Sequence, residues 1–162
     1  MHLEGSCHCG RVRFSLESAQ PWPYQRCYCS ICRKTGSGGF MINLGGDMGT
    51  MKIEGEEYLA DYRAQVEHQG RVVQSKHRRF FCQRCGCHLY AWHESWPDLV
   101  HPVASAIDTP LPEPPARVHM MLGSRANWLP VEAGPNDEQH EEYPRKSLAD
   151  WHAEHGYTDP SP

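Results

Sequence analysis

The chain predicts a mostly-β fold tied together by metal and ending in one short helix. Three observations predict it: eight cysteines gathered in three tight clusters, a succession of short alternating segments cut by Gly and Pro, and one late segment with helix start and stop signals. At 162 residues the chain fits one domain, and burying roughly 70% of its unfolded surface is within reach at that size.

The strands come first. Arg11-Val12-Arg13-Phe14-Ser15-Leu16-Glu17 alternates strictly and reads as a half-buried strand. Gly39–Leu44 is a second, closed by Gly45-Gly46-Asp47. Gly49–Ile53 and Tyr58–Tyr62 form two short strands around Glu54-Gly55, and Gly70–Phe81 runs as one segment into the third cysteine cluster. His88–Trp92, Leu99–Ser105 and Arg117–Leu122 complete the set. Short strands divided by Gly and Pro turns fit a sandwich, a barrel or a curved sheet. Residues 110–115 are a loop, because four of the six are proline.

The tail differs in composition. Glu132–Arg145 is polar and reads as irregular, whereas Ser147–Gly156 reads as a helix. Ser147 caps its start, Asp150 favours the positive end of the dipole and Gly156 stops it. Leu148, Trp151 and His152 are the side chains expected to face the body. Residues 1–130 are expected to form one metal-binding domain, and residues 131–162 an extension whose helix packs on it.

Composition excludes several classes. The hydrophobic fraction is 39% and mean hydropathy is -0.68, and no run of about 18 apolar residues exists to span a membrane. A net charge of -4 leaves no electrostatic footprint for nucleic acid. Met1–Cys7 lacks the charged and apolar regions of a secretory signal, so a cytoplasmic protein is expected.

The cysteines carry the chemistry. Their spacings are Cys7-x-Cys9, Cys27-x-Cys29-x-x-Cys32 and Cys82-x-x-Cys85-Gly86-Cys87. Such pairs suit a metal, since one turn points two sulfurs at a point about 2.3 Å from each. Gly10 and Gly86 follow ligand candidates, where positive φ lets the chain turn its amides toward sulfur. Cys27, Cys29 and Cys32 are close enough to give three sulfurs to one ion. Cys7, Cys9, Cys82 and Cys85 sum to a closed set of four, the usual number for a structural zinc. Spacing alone leaves a second partition open, in which Cys87 completes a four-sulfur site.

Gly5–Phe14, Cys27–Gly36 and Arg79–Leu89 resemble the three motifs of the glutathione-dependent formaldehyde-activating enzyme (GFA) family, which includes centromere protein V. Asp108-Thr109-Pro110 and Trp128 fit its weaker C-terminal pattern, so the resemblance covers about residues 3–130. It implies a zinc-stabilised curved β-sheet domain with two zinc ions per chain. It also implies that Cys7, Cys9, Cys82 and Cys85 hold a structural zinc, and that Cys27, Cys29 and Cys32 hold a catalytic one. The implied activity is that of a carbon–sulfur lyase joining formaldehyde to glutathione as S-(hydroxymethyl)glutathione. Cys87 departs from the family, which often carries a small polar residue there.

A metal with three thiolate ligands has room for a substrate thiol, which coordination deprotonates. Arg33 and Lys34, directly after Cys32, are the candidates for binding an anionic thiol such as glutathione. The basic stretch of Lys76, His77, Arg78, Arg79 and Arg84 reads as an exposed strand face, with pairing to glutathione carboxylates as the competing reading. His8 and His88 read as surface or core histidines, and Trp92, Trp96, Trp128 and Trp151 as packing residues. The alternative function is a binding module without catalysis, in which both metals are structural.

Overall fold

Alternation in the sequence becomes strand pairing in the computed structural model, which describes residues 1–157. In chain order the elements are β1 (His2–Ser6), β2 (Arg13–Glu17), β3 (Tyr24–Cys27), α1 (Ser30–Thr35), β4 (Met41–Asn43), β5 (Gly46–Asp47), β6 (Lys52–Glu54) and β7 (Leu59–Tyr62). There follow β8 (Gln65–His68), β9 (Arg71–Gln74), β10 (Arg78–Cys82), β11 (His88–Trp92), β12 (Leu99–Pro102), β13 (Arg117–Met120), β14 (Glu138–Gln139) and α2 (Leu148–Glu154). The fold is mostly β, with a short C-terminal helix.

Three sheets build the body. β1, β2 and β6 form one, with Leu3 opposite Leu16 and Gly5 opposite Phe14. Phe14 and Leu16 are buried while Arg13 and Glu17 face water, as a period of two requires. Gly5 fits only without a side chain: a Cβ there would lie 2.4 Å from the Phe14 ring and 2.5 Å from the Ala106 carbonyl oxygen. The second sheet runs β5-β12-β11-β10-β7, antiparallel throughout. Leu3, Val12, Leu16, Leu44, Leu89 and Val100 pack in one core cluster. The third sheet runs β14-β13-β3-β4, and β13 is parallel to both β3 and β14.

The structure departs from the sequence reading at several elements. The expected run Gly70–Phe81 breaks at Ser75–His77 into β9 and β10, and β9 pairs instead with β8 as a hairpin. Its turn is Gln69-Gly70, with φ of 51° and 74°, the positive values a two-residue hairpin turn demands. Leu99–Ser105 ends as a strand at Pro102 and continues as a helical turn. The tail is not wholly irregular, since β14 forms where the edge of β13 offers unpaired backbone groups.

α2 starts and stops where the sequence places its signals. Ser147 Oγ accepts from the Asp150 amide, and Asp150 returns a bond to the Ser147 amide, which makes a capping box. Trp151 is buried against Ala116 and Val118, while Leu148 and His152 are half-buried. His152 Nε2 bonds the Trp22 carbonyl at 2.6 Å. Of the other tryptophans, Trp92 is half-buried, but Trp96 and Trp128 are 53% and 66% exposed and are not core residues.

Candidate metal centres and active-site cavity

Two turns, each ending on a glycine, build the first centre. In Cys7–Gly10 the Gly10 amide donates to the Cys7 carbonyl at 2.9 Å, and in Cys82–Gly86 the Gly86 amide donates to the Cys82 carbonyl at 2.7 Å. Gly10 and Gly86 hold φ near 70° and 74°, values that a Cβ would strain. The turns bring the sulfurs of Cys7, Cys9, Cys82 and Cys85 within 4.8 Å of one another. Cys7 and Cys9 Sγ are 3.5 Å apart, and Cys9 and Cys82 Sγ 3.8 Å. All eight cysteines are free. A tetrahedron with zinc–sulfur bonds of about 2.3 Å has edges of about 3.8 Å, so the four-sulfur set fits a zinc ion. The Val12 amide aims at Cys7 Sγ at 3.3 Å, a bond that favours thiolate. Against the opposing effect of burial, backbone N–H bonds hold the Cys85 thiol down to about 6. Cys87 stands outside this group, half-buried, with its thiol pushed up by burial.

The second centre gathers Cys27, Cys29 and Cys32, also within 4.8 Å and all buried. Cys27 ends β3, and Cys29 caps α1, where the Cys32 amide donates to its sulfur at 3.3 Å. Hydrogen bonds from the Cys27 and Cys32 thiols and from the Cys32 and Ile31 amides push Cys29 down to about 2. The donor set is three soft sulfurs with no fourth protein ligand among the described residues, which fits a zinc with one position left for a small molecule.

A buried relay braces this loop. Tyr28, between two of the sulfurs, bonds His119 Nδ1 at 2.9 Å, and His119 Nε2 bonds Asp137 Oδ2 at 3.2 Å. Asp137 also accepts the Arg117 and Gly134 amides. Burial keeps His119 neutral, so its one N–H goes to Asp137 and Nδ1 accepts from the Tyr28 hydroxyl. The sequence gives no signal for this relay, because its members lie far apart in the chain.

The three-sulfur centre opens on a cavity of about 1040 Å³ with Cys27 and Cys32 in its wall. That volume lies at the upper end of the roughly 300–1,000 Å³ typical of small-molecule sites. β3 and β4 form one side and β10 to β12 another, while Tyr143–Ala149 of the tail closes a third. Arg33 and Lys34 are not part of this wall: Arg33 is half-buried and Lys34 exposed on α1. The cations that line it are Arg79, Arg145 and Lys146. Lys146 is already paired with Glu138 at 3.1 Å and Glu154 at 2.7 Å.

The structure divides the basic stretch. Lys76 pairs with Glu94, and Arg78 reaches both oxygens of Asp61 at 3.1 and 2.9 Å. His77, Arg79 and His88 instead face the cavity. His77 is pushed down to about 3 and His88 to about 4, by burial first and then by the charge of Arg79. His8 is exposed. Strand alternation explains the split of Arg78 from Arg79, since neighbours on β10 point to opposite faces.

The fold and site define a class: a mostly-β domain whose two cysteine groups, one of four thiols and one of three beside a cavity, could each hold a metal ion. The chain belongs to the family described as "Glutathione-dependent formaldehyde-activating enzyme", which matches residues 2–122. It is 48% identical over 157 residues to a Halomonas elongata protein named "Putative glutathione-dependent formaldehyde-activating enzyme", covering 96% of this chain and 98% of that one. A Rhodobacter sphaeroides protein of known crystal structure shares the fold, with a TM-score of 0.52 and 24% identity over 67% of this chain and 91% of that one.

Proposed function

We propose that this protein is a zinc-dependent carbon–sulfur lyase that joins the thiol of glutathione to formaldehyde and reverses that reaction. The observation that carries the reading is the three-sulfur cluster set in the wall of a large cavity. A zinc bound there would supply a positive charge that deprotonates an incoming thiol and leaves it nucleophilic. Cys27, Cys29 and Cys32 would hold that ion, and Cys7, Cys9, Cys82 and Cys85 the structural one. The chain's own residues do the rest. The cavity walls confine both reactants, which lowers the entropic cost of their meeting. Arg145 offers the glutathione carboxylates a cation with no ion pair among the described residues, and Lys146 offers a second that is already shared. Arg33 and Lys34 lie outside this wall and would steer the anion from a distance.

A large cavity beside an incomplete ligand set favours catalysis over a binding module with two closed metals. Eight free thiols suit the reducing cytoplasm, where we place the protein. The test is exchange NMR between free glutathione and S-(hydroxymethyl)glutathione with formaldehyde present. The protein should speed exchange above the spontaneous rate, and Cys29→Ser should abolish the gain while one zinc per chain remains. Full activity in Cys29→Ser would exclude the three-sulfur centre from the reaction.

A further inference from the structure

Arg79 is 5% exposed, lines the cavity with Cys27 and Cys32, and has no carboxylate partner among the described residues. Among the described residues the one bond its guanidinium makes is a long one, Nη1 to the His77 carbonyl at 3.4 Å. Its neighbour Arg78 shows the ordinary alternative, a two-pronged pair with Asp61 at the surface. Its nearest counter-charge is the sulfur cluster, whose Cys32 thiolate its charge favours, and with no carboxylate holding it the guanidinium can also meet an anion that enters the cavity. His77 and His88 beside it are neutral, so Arg79 is the fixed positive charge at the sulfur end of the cavity.

We propose that Arg79 is the oxyanion-binding residue of this site, holding the aldehyde oxygen as the carbon–sulfur bond forms or breaks. This rests on the lyase reading above. The thiol gives its proton to solvent, and the sulfur then attacks the carbonyl carbon. The C=O π pair moves to oxygen, which becomes an alkoxide against the guanidinium and then takes a proton from solvent. Thiol and formaldehyde together account for every atom of the hydroxymethyl thioether, and nothing is oxidised. In the reverse direction the alkoxide forms first, and collapse of its electron pair expels the sulfur. A fixed donor aimed at a charge that develops only in the transition state raises the rate without tightening substrate binding.

The test compares zinc-loaded wild type with Arg79→Gln and Arg79→Lys. Arg79→Gln should slow glutathione–formaldehyde exchange by about 10²-fold and leave glutathione affinity within about threefold. It should also keep both zincs, and Arg79→Lys should recover part of the rate. A second readout needs no turnover: calorimetric binding of thioglycolate against 2-mercaptoethanol, two small thiols of which only the first carries an anion near its sulfur. Wild type should prefer thioglycolate by about tenfold, and Arg79→Gln should lose that preference. Exchange within threefold of wild type, or zinc lost from the three-sulfur cluster, would overturn the proposal; the latter would make Arg79 a structural counter-ion. If wild type gives no exchange, the lyase reading fails by itself. The thiol preference then still decides whether Arg79 receives an anion: its loss in Arg79→Gln supports that role, and its persistence overturns it.

Discussion

Trp151→Ala should undock the tail while leaving the body of the domain folded. Trp151 is 2% exposed, packs on Ala116 and Val118, and stacks on the His155 ring at 3.9 Å. Its Nε1–H also donates to Glu138 at 3.0 Å. That bond is the smaller loss, because Glu138 keeps Lys146 and His140 as partners. Packing decides the outcome, and removing a buried Trp side chain costs about 3–5 kcal/mol. The lost contacts lie on the seam between α2 and β13, so the cost falls on tail docking, a change of about 10²–10⁴-fold in the opening equilibrium. Amide hydrogen exchange reads it directly. The amides of Met121, Leu122 and His140, which bond between the end of β13 and the β14 segment of the tail, should exchange faster by that factor, and those of β10 and β11 should not. Glutathione affinity should fall with them, since Tyr143–Ala149 forms a cavity wall. Equal acceleration in β10 and β11 would refute the reasoning by making Trp151 a support of the whole domain. Unchanged protection at the seam would assign docking to β14 alone.

Three further perturbations follow from the same structure. Cys9→Ser should lower bound zinc from two to one per chain and unfold much of the domain at neutral pH, because a structural zinc contributes about 10–16 kcal/mol; a folded variant still holding two zincs would contradict the assignment. Acid should weaken the fold through His77 and His88, whose pKa values are pressed to about 3 and about 4, below the unfolded value of about 6.5. Their contribution is complete above about pH 6.5 and is lost as pH falls toward the folded values, amounting to about 2 kcal/mol each at pH 5. Zinc release in acid affects every variant, so the measure is a comparison: the stability lost between pH 7 and pH 5 should be smaller in His77→Gln/His88→Gln, and equal losses would refute neutral burial. Asp137→Ala strands the His119 N–H and the amides of Arg117 and Gly134. It should cost about 3 kcal/mol or more in denaturant melts with both zincs retained, and a cost under 1 kcal/mol would show that the relay is slack.

What the sequence reveals depends on whether the force is local. Arg13–Glu17 is legible because alternation alone sorts Phe14 and Leu16 inward. The α2 signals are legible because Ser147 and Asp150 cap one another three residues apart. The grouping of Cys7 and Cys9 with Cys82 and Cys85 is offered by their spacing and realised by two glycine-ended turns. β1 is hidden because Gly5 is an inward position with no hydrophobic side chain to announce it. β3 is hidden because Tyr24-Gln25-Arg26-Cys27 shows no alternation, and its pairing with β13 depends on residues more than ninety positions away. α1 is masked by the cysteine motif that contains it. The cavity is the largest omission: its tail wall and the inward turn of Arg79 arise only when separate sheets meet, whereas Arg33 and Lys34 stand out in the sequence by following Cys32 directly.

The four-sulfur centre also has a consequence for how the protein is made. Cys9 and Cys82 are 73 positions apart, and chains grow at about 5–20 residues per second, so the first pair waits roughly 4–15 s for the second to exist. Cys27, Cys29 and Cys32 are complete within six residues and can capture metal during that wait. With the zinc assignments proposed above, the order of metal loading on the ribosome would run opposite to the order of permanence: the open centre would fill first, and the centre that secures the fold would close last. A cell short of zinc would therefore accumulate nascent chains whose N-terminal thiols are bare and exposed to oxidants, well before it lost protein already folded.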